Sequence, residues 1–296
     1  MSVEVRAAET DADLEGWIRV KRAVLPNESA WSVQEFRERH EPDKLVLVAE
    51  LDGEIVGAGL AGPSDVQGRG FVNPRVHPEA RRRGVGTAML HQLTQHVADL
   101  GFDKAWASVD DPGSRAFAER FGFEEVDREV EQVLALPAEL PEAPLPQGVD
   151  VVSIAYRPEL LRETYLLARD EGYKDLAIDG DVIVTLEDWL RDEATLPGGS
   201  FVALDQGRIV GYSGLMRHDN PGVAEDGLTV VARDWRRRGL AIALKRLELA
   251  WAAEHGFTEV FTWTQRRNEG MRAVNERLGY VYRTVGYKMM GPVPLA

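Results

Sequence analysis

Two short runs rich in arginine and small residues have the composition of a diphosphate-binding turn. The first spans Arg81 to Gly86, and the second spans Arg236 to Ala241, 155 residues later. Small residues let backbone N–H groups approach phosphate oxygens, and the start of a helix adds a partial positive charge. Each run lies between a short apolar strand and an apolar helix, so both predict a site for a nucleotide-tailed cofactor. The residues concerned are Arg81, Arg82, Arg83, Gly84 and Gly86 in the first run, and Arg236, Arg237, Arg238, Gly239, Leu240 and Ala241 in the second.

The similarity of the two runs extends over most of the chain. Upstream, the hairpin-like segment 48–57 matches 202–211, and the capping-box-like helix start at 32–36 matches 185–189. The offsets stay between 153 and 157 residues, so we interpret the chain as two copies of one domain. Each copy reads approximately β–α–α–β–β–β–α–β–α–β, which predicts an α+β fold.

A proline-rich segment, Leu136–Pro146, separates the two copies. Such a segment is stiff and extended, and it cannot form a helix or a central strand. We therefore expect an N-terminal domain at 1–135, a linker at 136–147 and a C-terminal domain at 148–296.

The composition narrows the class of protein. With 44% apolar and 28% charged residues, no long apolar run and no secretory signal, the chain predicts a soluble, cytoplasmic protein. The absence of cysteine excludes disulfides and a cysteine nucleophile, and no pair of histidines at ligand spacing indicates a metal site. The net charge of −14 argues against binding to a nucleic-acid backbone. We expect a monomer or a homodimer.

The duplicated turn, together with the segments Arg120–Phe123 and Arg277–Tyr280 near the ends of the copies, resembles the GNAT superfamily of N-acetyltransferases in a tandem arrangement. The resemblance implies two GNAT-like domains. Each would contain a mixed, mostly antiparallel sheet with a splayed central strand and flanking helices. It also implies acetyl-CoA, or another acyl-CoA, as the cosubstrate.

The resemblance carries over to particular residues of the second copy. The backbone amides of Arg236 to Ala241 would hold the diphosphate, and the main-chain groups of Thr229 and Val231 would pair with the pantetheine arm. Asn268 matches a position near the cofactor. In the first copy, Val76 and the first run correspond to these groups.

The two copies differ at the positions that the family uses for chemistry. Transfer to an amine needs a base and a donor to the thioester carbonyl. In similar enzymes a glutamate lies eleven residues before the signature, which gives Glu225 in the second copy and Gly70 in the first. The carbonyl donor is a backbone N–H, which corresponds to Thr229 in the second copy and to Pro74, which has no N–H, in the first. We therefore expect catalysis in the C-terminal domain, with Asp226 as the nearest substitute for Glu225.

The tyrosine that many family members use as a general acid is missing from both copies. Ala118 and Asn275 occupy its position. Either another tyrosine acts in the second copy, or the thiolate leaves unprotonated. In the first copy an aspartate replaces Asn268, and a carboxylate would repel phosphates. The tyrosines that could substitute are Tyr173, Tyr212, Tyr280 and Tyr282, and the aspartate is Asp111.

An acidic loop of the second copy, residues 170–181, is a candidate acceptor site. Its five carboxylates and Tyr173 could attract a cationic amine, and Trp263 could line the pocket. A solvated loop and a core tryptophan are the alternative interpretations. The predicted function is direct transfer of an acetyl group from acetyl-CoA to the primary amine of a small molecule. The alternatives are a catalytically inactive CoA-binding regulatory module and an N-acetyltransferase acting on proteins or peptides.

Overall fold

The computed structural model describes residues 3–39, 41–176, 178 and 180–295. The chain forms two compact units. Unit 1 contains Met1–Asp127 and Tyr287–Ala296, and unit 2 contains Arg128–Gly286. No helix in the described ranges is long and apolar enough to cross a bilayer.

Unit 1 is a sheet with four helices. Its strands follow the spatial order β1-β2-β3-β4-β5 and are antiparallel, except for a short parallel pairing between the last two. The elements are β1 (Val3–Ala7), α1 (Asp11–Val24), α2 (Val33–Glu38), β2 (Leu45–Leu51), β3 (Glu54–Pro63), β4 (Gly70–Val76), α3 (Val85–Asp99), β5 (Lys104–Val109) and α4 (Pro112–Arg120).

Unit 2 repeats this arrangement. Its strands follow the order β6-β11-β10-β9-β8-β7, again with one short parallel pairing, between β10 and β11. The remaining elements of the chain are β6 (Glu124–Ala135), β7 (Val149–Ser153), α5 (Glu159–Leu167), α6 (Leu186–Asp192), β8 (Phe201–Asp205), β9 (Arg208–Arg217), β10 (Val223–Val231), α7 (Leu240–Glu254), β11 (Glu259–Gln265), α8 (Glu269–Leu278) and β12 (Val281–Pro292).

The compact units differ from the two sequence copies at their ends. In unit 1, residues 287–292 of β12 pair antiparallel with β5. In unit 2, residues 129–135 of β6 pair antiparallel with β11. Each copy therefore gives its last strand to the sheet of the other copy, whereas the predicted domain limits follow the repeat in the sequence. Residues 136–147, the predicted linker, contain neither helix nor strand.

Local sequence signals explain where several elements begin and turn. Ser32 and Glu35 form a capping box at α2, and Thr185 Oγ1 accepts the N–H of Asp188 at 3.1 Å at α6, as predicted. Positive φ angles at Asp52-Gly53 and Gln206-Gly207 close the two predicted hairpins with turns that suit the twist of their strands.

Candidate active site

A cavity of about 700 Å³ opens in unit 2 where β10 separates from β11. The two strands pair only at Val223–Glu225. Directly afterwards, a bulge between Asp226 and Thr229 adds one residue to β10 and shifts its register with β9. Beyond this point the cavity is lined on one side by β10 and on the other by β11. The predicted splayed strand is therefore present.

The main-chain groups of Thr229 and Val231 point into this cleft. The N–H of Ala232 donates to the carbonyl of Val210 at 2.9 Å, so hydrogen-bonded pairs with β9 fall on alternate residues of β10. Thr229 and Val231 lie at the positions between them and direct their N–H and C=O groups away from β9. Arg236 Nε donates to the carbonyl of Val231 at 2.9 Å, which agrees with this orientation.

The predicted diphosphate turn forms one end of the cavity. Arg237 and Gly239 have φ angles of 60° and 83°, and α7 begins at Leu240. The first N–H groups of a helix have no partner within it, so those of Leu240 and Ala241 are available to an anion. A Cβ built on Gly239 would meet nothing within 4 Å. The turn thus offers open backbone donors, which is the geometry that a diphosphate requires.

The three arginine side chains of this turn make different contacts. Arg236 Nη1 lies 2.5 Å from Asp175 Oδ2, so its charge is already paired. The guanidinium of Arg238 lies 4.7 Å from the ring centroid of Trp235 and donates to the carbonyl of Asp234 at 2.8 Å. Arg237 also lines the cavity. The turn therefore leaves backbone N–H groups open, while the side chains of Arg236 and Arg238 are already engaged.

The acidic loop packs against the turn. Glu171 accepts the backbone N–H of Arg233 at 2.6 Å, and Asp175 also binds the Arg233 guanidinium at 2.7 Å. Glu171 also lies 3.6 Å from Arg236 Nη2, so both carboxylates are paired with arginine. Tyr173 packs edge-on against Trp189, with ring centroids 6.3 Å apart, and does not line the cavity. Its acceptor contact stays a prediction, and Asp179 of the same loop lies outside the described residues.

Four other predicted residues do line the cavity: Glu225, Asp226, Trp263 and Asn268. Glu225 is partly buried and lies on β10 just before the bulge. Trp263 is partly buried on the facing strand β11. Asn268 caps α8, and its side chain accepts the N–H of Met271 at 3.2 Å. The carboxylate, the indole and the amide thus face the same space.

The corresponding turn of unit 1 has almost the same backbone. Arg82 and Gly84 have φ angles of 64° and 87°, and Arg81 Nε donates to the carbonyl of Val76 at 3.4 Å. Gly86 lies in the first turn of α3, where a Cβ would make only ordinary contacts. Asp111 caps α4 and accepts the N–H groups of the two residues that follow Pro112. The local turn is therefore duplicated in three dimensions.

The strand that precedes this turn in unit 1, β4, differs from β10 of unit 2. β4 pairs with β3 from end to end without a bulge. The N–H of His77 donates to the carbonyl of Val56, so hydrogen-bonded pairs with β3 again fall on alternate residues of β4. Pro74 lies between two such pairs, at the position of Thr229, and its main-chain groups are directed away from β3. Unit 1 therefore has no backbone donor at the position where the predicted carbonyl donor of unit 2 lies.

One correspondence drawn by counting residues is wrong. The count of eleven residues aligns Glu225 with Gly70, but the bulge places one extra residue in β10. By strand pairing, Glu225 faces Met216 in β9, and the equivalent residue facing Gly62 in β3 is Phe71. The conclusion that unit 1 lacks this carboxylate is unchanged.

Comparison with known proteins identifies the family. The family model of the acetyltransferase (GNAT) family matches residues 13–123 and 159–280. The chain belongs to this family. Mycothiol acetyltransferase from Salinispora tropica is 29% identical over 252 residues, covering 83% of this chain and 80% of that protein. The mycothiol acetyltransferase from Saccharomonospora viridis is 30% identical over 238 residues, covering 77% of this chain and 76% of its own.

Solved structures agree on the fold. A tandem GNAT protein from the clavulanic acid biosynthesis pathway superposes with a TM-score of 0.75 at 21% identity, covering 98% of both chains. The predicted tandem GNAT fold is confirmed, and this chain is an acyl-CoA-dependent N-acetyltransferase.

Four tyrosines were candidates for the missing acid of this GNAT protein, and none lines the cavity among the described residues. Tyr212 is buried and donates to Glu193 Oε1 at 3.0 Å. Tyr280 is buried and donates to Asp226 Oδ2 at 2.9 Å. Tyr282 is exposed at the surface. Burial raises the pKa of Tyr212 and of Tyr280, so both hold their protons firmly.

A cluster of buried ionisable residues lies beneath the cavity, and sequence reasoning missed most of it. Lys245 of α7 pairs with Asp226 of β10, and both side chains are at most 1% exposed. Glu248, one turn further along α7, is fully buried, and burial followed by the nearby charge of Asp226 raises its pKa. In the sequence, the only indication of this cluster is that Lys245 and Glu248 interrupt the apolar pattern of α7. Charged residues in a helix also fit a face that is exposed to solvent.

Glu193 is a second carboxylate that the sequence did not indicate. It follows α6 and precedes Ala194, whose φ of 51° is unusual for a residue with a side chain. Its carboxylate accepts hydrogen bonds from Tyr212 and from the backbone of Ala194 and Leu228, the latter within the bulge. Burial raises the pKa of Glu193 to about 7. This residue therefore supports the bulge from beneath.

Proposed function

We propose that unit 2 transfers the acetyl group of acetyl-CoA directly to the primary amine of a small molecule. The observation that carries this assignment is the cleft-facing N–H of Thr229 beside a bulge, in the unit that also places Glu225 on the cavity wall. Acetyl-CoA supplies the acetyl group as a thioester. Unit 1, with Pro74 and Phe71 at these positions, has no equivalent donor or carboxylate.

The residues of unit 2 divide the work as follows. The backbone N–H groups from Arg236 to Ala241 hold the diphosphate at the start of α7, and the N–H and C=O groups of Val231 face the pantetheine. The N–H of Thr229 stabilises the negative charge that develops on the carbonyl oxygen. Glu225 takes a proton from the acceptor amine, with Asp226 less suited because it is buried and paired with Lys245.

The class of acceptor rests on the relatives. The curated relatives are named mycothiol acetyltransferase. A small molecule also fits the dimensions of the site, because a cavity of about 700 Å³ is in the range that encloses small ligands. Trp263 and Glu225 would contact this acceptor across the cleft. The ion pairs of Glu171 and Asp175 favour a structural role for the acidic loop over one in binding the amine.

The experiment is a thiol-detecting assay of CoA release from acetyl-CoA with a panel of small amines. The assay is free of background because the chain contains no cysteine. We expect acceptor-dependent release, and a loss of roughly 100-fold in kcat for Glu225→Gln, within the range of general base catalysis. Glu254→Gln, the same change at an exposed position of α7, is the control.

CoA binding without turnover across the panel would contradict the proposal and favour an inactive CoA-binding module. Turnover with peptides and not with small amines would assign the acceptor to proteins instead.

A further inference from the structure

A chain of hydroxyl groups connects the cavity wall to the buried Glu248. Thr229 lines the cavity, and its Oγ1 lies 3.0 Å from Ser213 Oγ on β9. Ser213 Oγ in turn lies 2.5 Å from Glu248 Oε2 on α7. Ser213 and Glu248 are both fully buried. Three side chains from three elements therefore form a continuous path from the interior to the cavity.

We infer that this path, Glu248–Ser213–Thr229, delivers the proton that the departing CoA sulfur accepts. The inference rests on the proposed function, because it places the thioester beside Thr229. It supplies the acid that Asn275 cannot supply and that no cavity-lining tyrosine offers among the described residues.

The surroundings of Glu248 favour its protonated form. Burial and the charge of Asp226 on β10 raise its pKa, as does Glu193 beyond α6, while Lys245 on α7 and the Ser213 hydroxyl lower it. Tyr212 of β9 and Tyr280 also interact with the Glu248 charge. Within the described part of the chain, Glu248 Oε1 has no hydrogen-bond partner. A protonated carboxyl avoids the cost of an unsolvated charge here.

The transfer step balances in atoms and electrons. As the C–N bond forms, the amine proton passes to Glu225. As the C–S bond breaks, its electron pair stays on sulfur, which accepts the Thr229 proton. Thr229 recovers a proton from Ser213, and Ser213 recovers one from Glu248. After product release, solvent in the open cavity returns a proton to Glu248 along the same hydroxyls, and Glu225 releases its proton to solvent.

Only Thr229 touches the reacting sulfur in this scheme, so Ser213 and Glu248 are positioning residues that act through it. Three variants remove one member each. Glu248→Gln keeps the shape and a hydrogen bond without a transferable proton. Ser213→Ala interrupts the path, and Thr229→Val removes the hydroxyl while it keeps the N–H for the carbonyl.

The test measures kcat of the full-length enzyme with acetyl-CoA and its best amine. We expect each variant to lose roughly 10- to 100-fold, at the low end of general acid catalysis because a thiolate is already a good leaving group. Since the residues act as one path, the double variant Glu248→Gln/Ser213→Ala should be no slower than the slower single variant. CoA affinity should stay unchanged, and Glu254→Gln serves as the control.

The pH profile separates the path from a merely structural effect. In the wild type, kcat should fall as pH rises through the pKa of Glu248, and Glu248→Gln should abolish this limb. Glu193, whose pKa burial raises to about 7, also interacts with Glu248, and Glu193→Gln identifies its contribution. Multiplicative losses in the double variant, or an alkaline limb that survives Glu248→Gln, would overturn the inference. Wild-type enzyme without turnover would overturn the proposed function as well.

Discussion

Units 1 and 2 share one backbone plan and differ in what fills the space behind the cofactor turn. Both turns place an arginine and a glycine at positive φ before the long helix. Behind the turn, unit 1 has an apolar core, whereas unit 2 has hydroxyls and charges at the same positions. By strand pairing and helix position, Thr229, Ser213, Asp226, Lys245, Glu248 and Tyr280 of unit 2 correspond to Pro74, Gly59, Val72, Leu90, Leu93 and Phe123 of unit 1.

This difference in the buried residues supports the proposal that unit 2 carries the chemistry. Buried charges reduce stability unless they are paired, and apolar residues of similar size usually pack as well or better. The buried polar cluster of unit 2 is therefore costly in folding free energy. Unit 1 has apolar residues at these positions, so the fold does not require the cluster, which supports the functional role proposed for it.

The largest expected effect comes from breaking the buried ion pair of unit 2. Lys245→Leu, which installs the residue of unit 1, leaves Asp226 buried without its cation and should lower the free energy of unfolding by about 3–5 kcal/mol. The double variant Lys245→Leu/Asp226→Val should recover most of this loss. Urea unfolding measures both. Exposed Lys104→Leu is the control, with a change of at most about 0.5 kcal/mol.

If Lys245→Leu is as stable as the wild type, the charge of Asp226 does not depend on Lys245 for compensation, contrary to what the burial of the pair indicates. If the double variant is no more stable than the single variant, the packing behind the turn of unit 2 accommodates Lys245 and Asp226 better than the apolar residues of unit 1.

A smaller effect, on catalysis alone, should follow from exchanging the residues at the carbonyl-donor position. Thr229→Pro removes both the cleft-facing N–H and the hydroxyl without loss of a hydrogen bond to β9, and its kcat should be about 10²–10³-fold below that of Thr229→Val. Since Thr229→Val keeps this N–H, the two variants separate the donor from the hydroxyl path. The reciprocal Pro74→Thr in unit 1 should leave kcat unchanged. An equal loss in both units would contradict the assignment of catalysis to unit 2.

The smallest effect concerns the cofactor turn itself. Gly239→Ala places a side chain at φ 83°, which costs about 1–2 kcal/mol, and directs a Cβ into the cavity. We expect about tenfold weaker binding of acetyl-CoA by calorimetry. Gly256→Ala is a matched control, since Gly256 has φ 82° and equally open surroundings at the far end of α7. It should lose similar stability with no loss of affinity.

Gly84→Ala extends this comparison to unit 1. We expect kcat to stay unchanged, because unit 1 has Pro74 and Phe71 at the positions of the carbonyl donor and the carboxylate. A loss of one binding site per chain in this variant would show that unit 1 binds acetyl-CoA without turning it over.

Features that depend on neighbouring residues were accessible from the sequence. A glycine before an apolar helix predicts a left-handed residue at the helix start, and both Gly84 and Gly239 adopt it. The hairpins at Asp52-Gly53 and Gln206-Gly207 follow from turn chemistry in the same way. Because these interactions lie within a few residues of one another, the repeated turn, the tandem fold and the family could all be predicted.

Features that depend on distant partners were decided only by the tertiary structure. The sequence of α7 does not show that Lys245 and Glu248 are buried, since their partners Asp226, Ser213 and Tyr280 lie on other elements. The single extra residue in β10 appears only through its pairing with β9. Similarly, the pairings of β6 with β11 and of β12 with β5 join strands that lie far apart in the sequence. Burial, register and strand exchange are set by which surfaces meet on folding, and a local pattern contains no information about its remote partner.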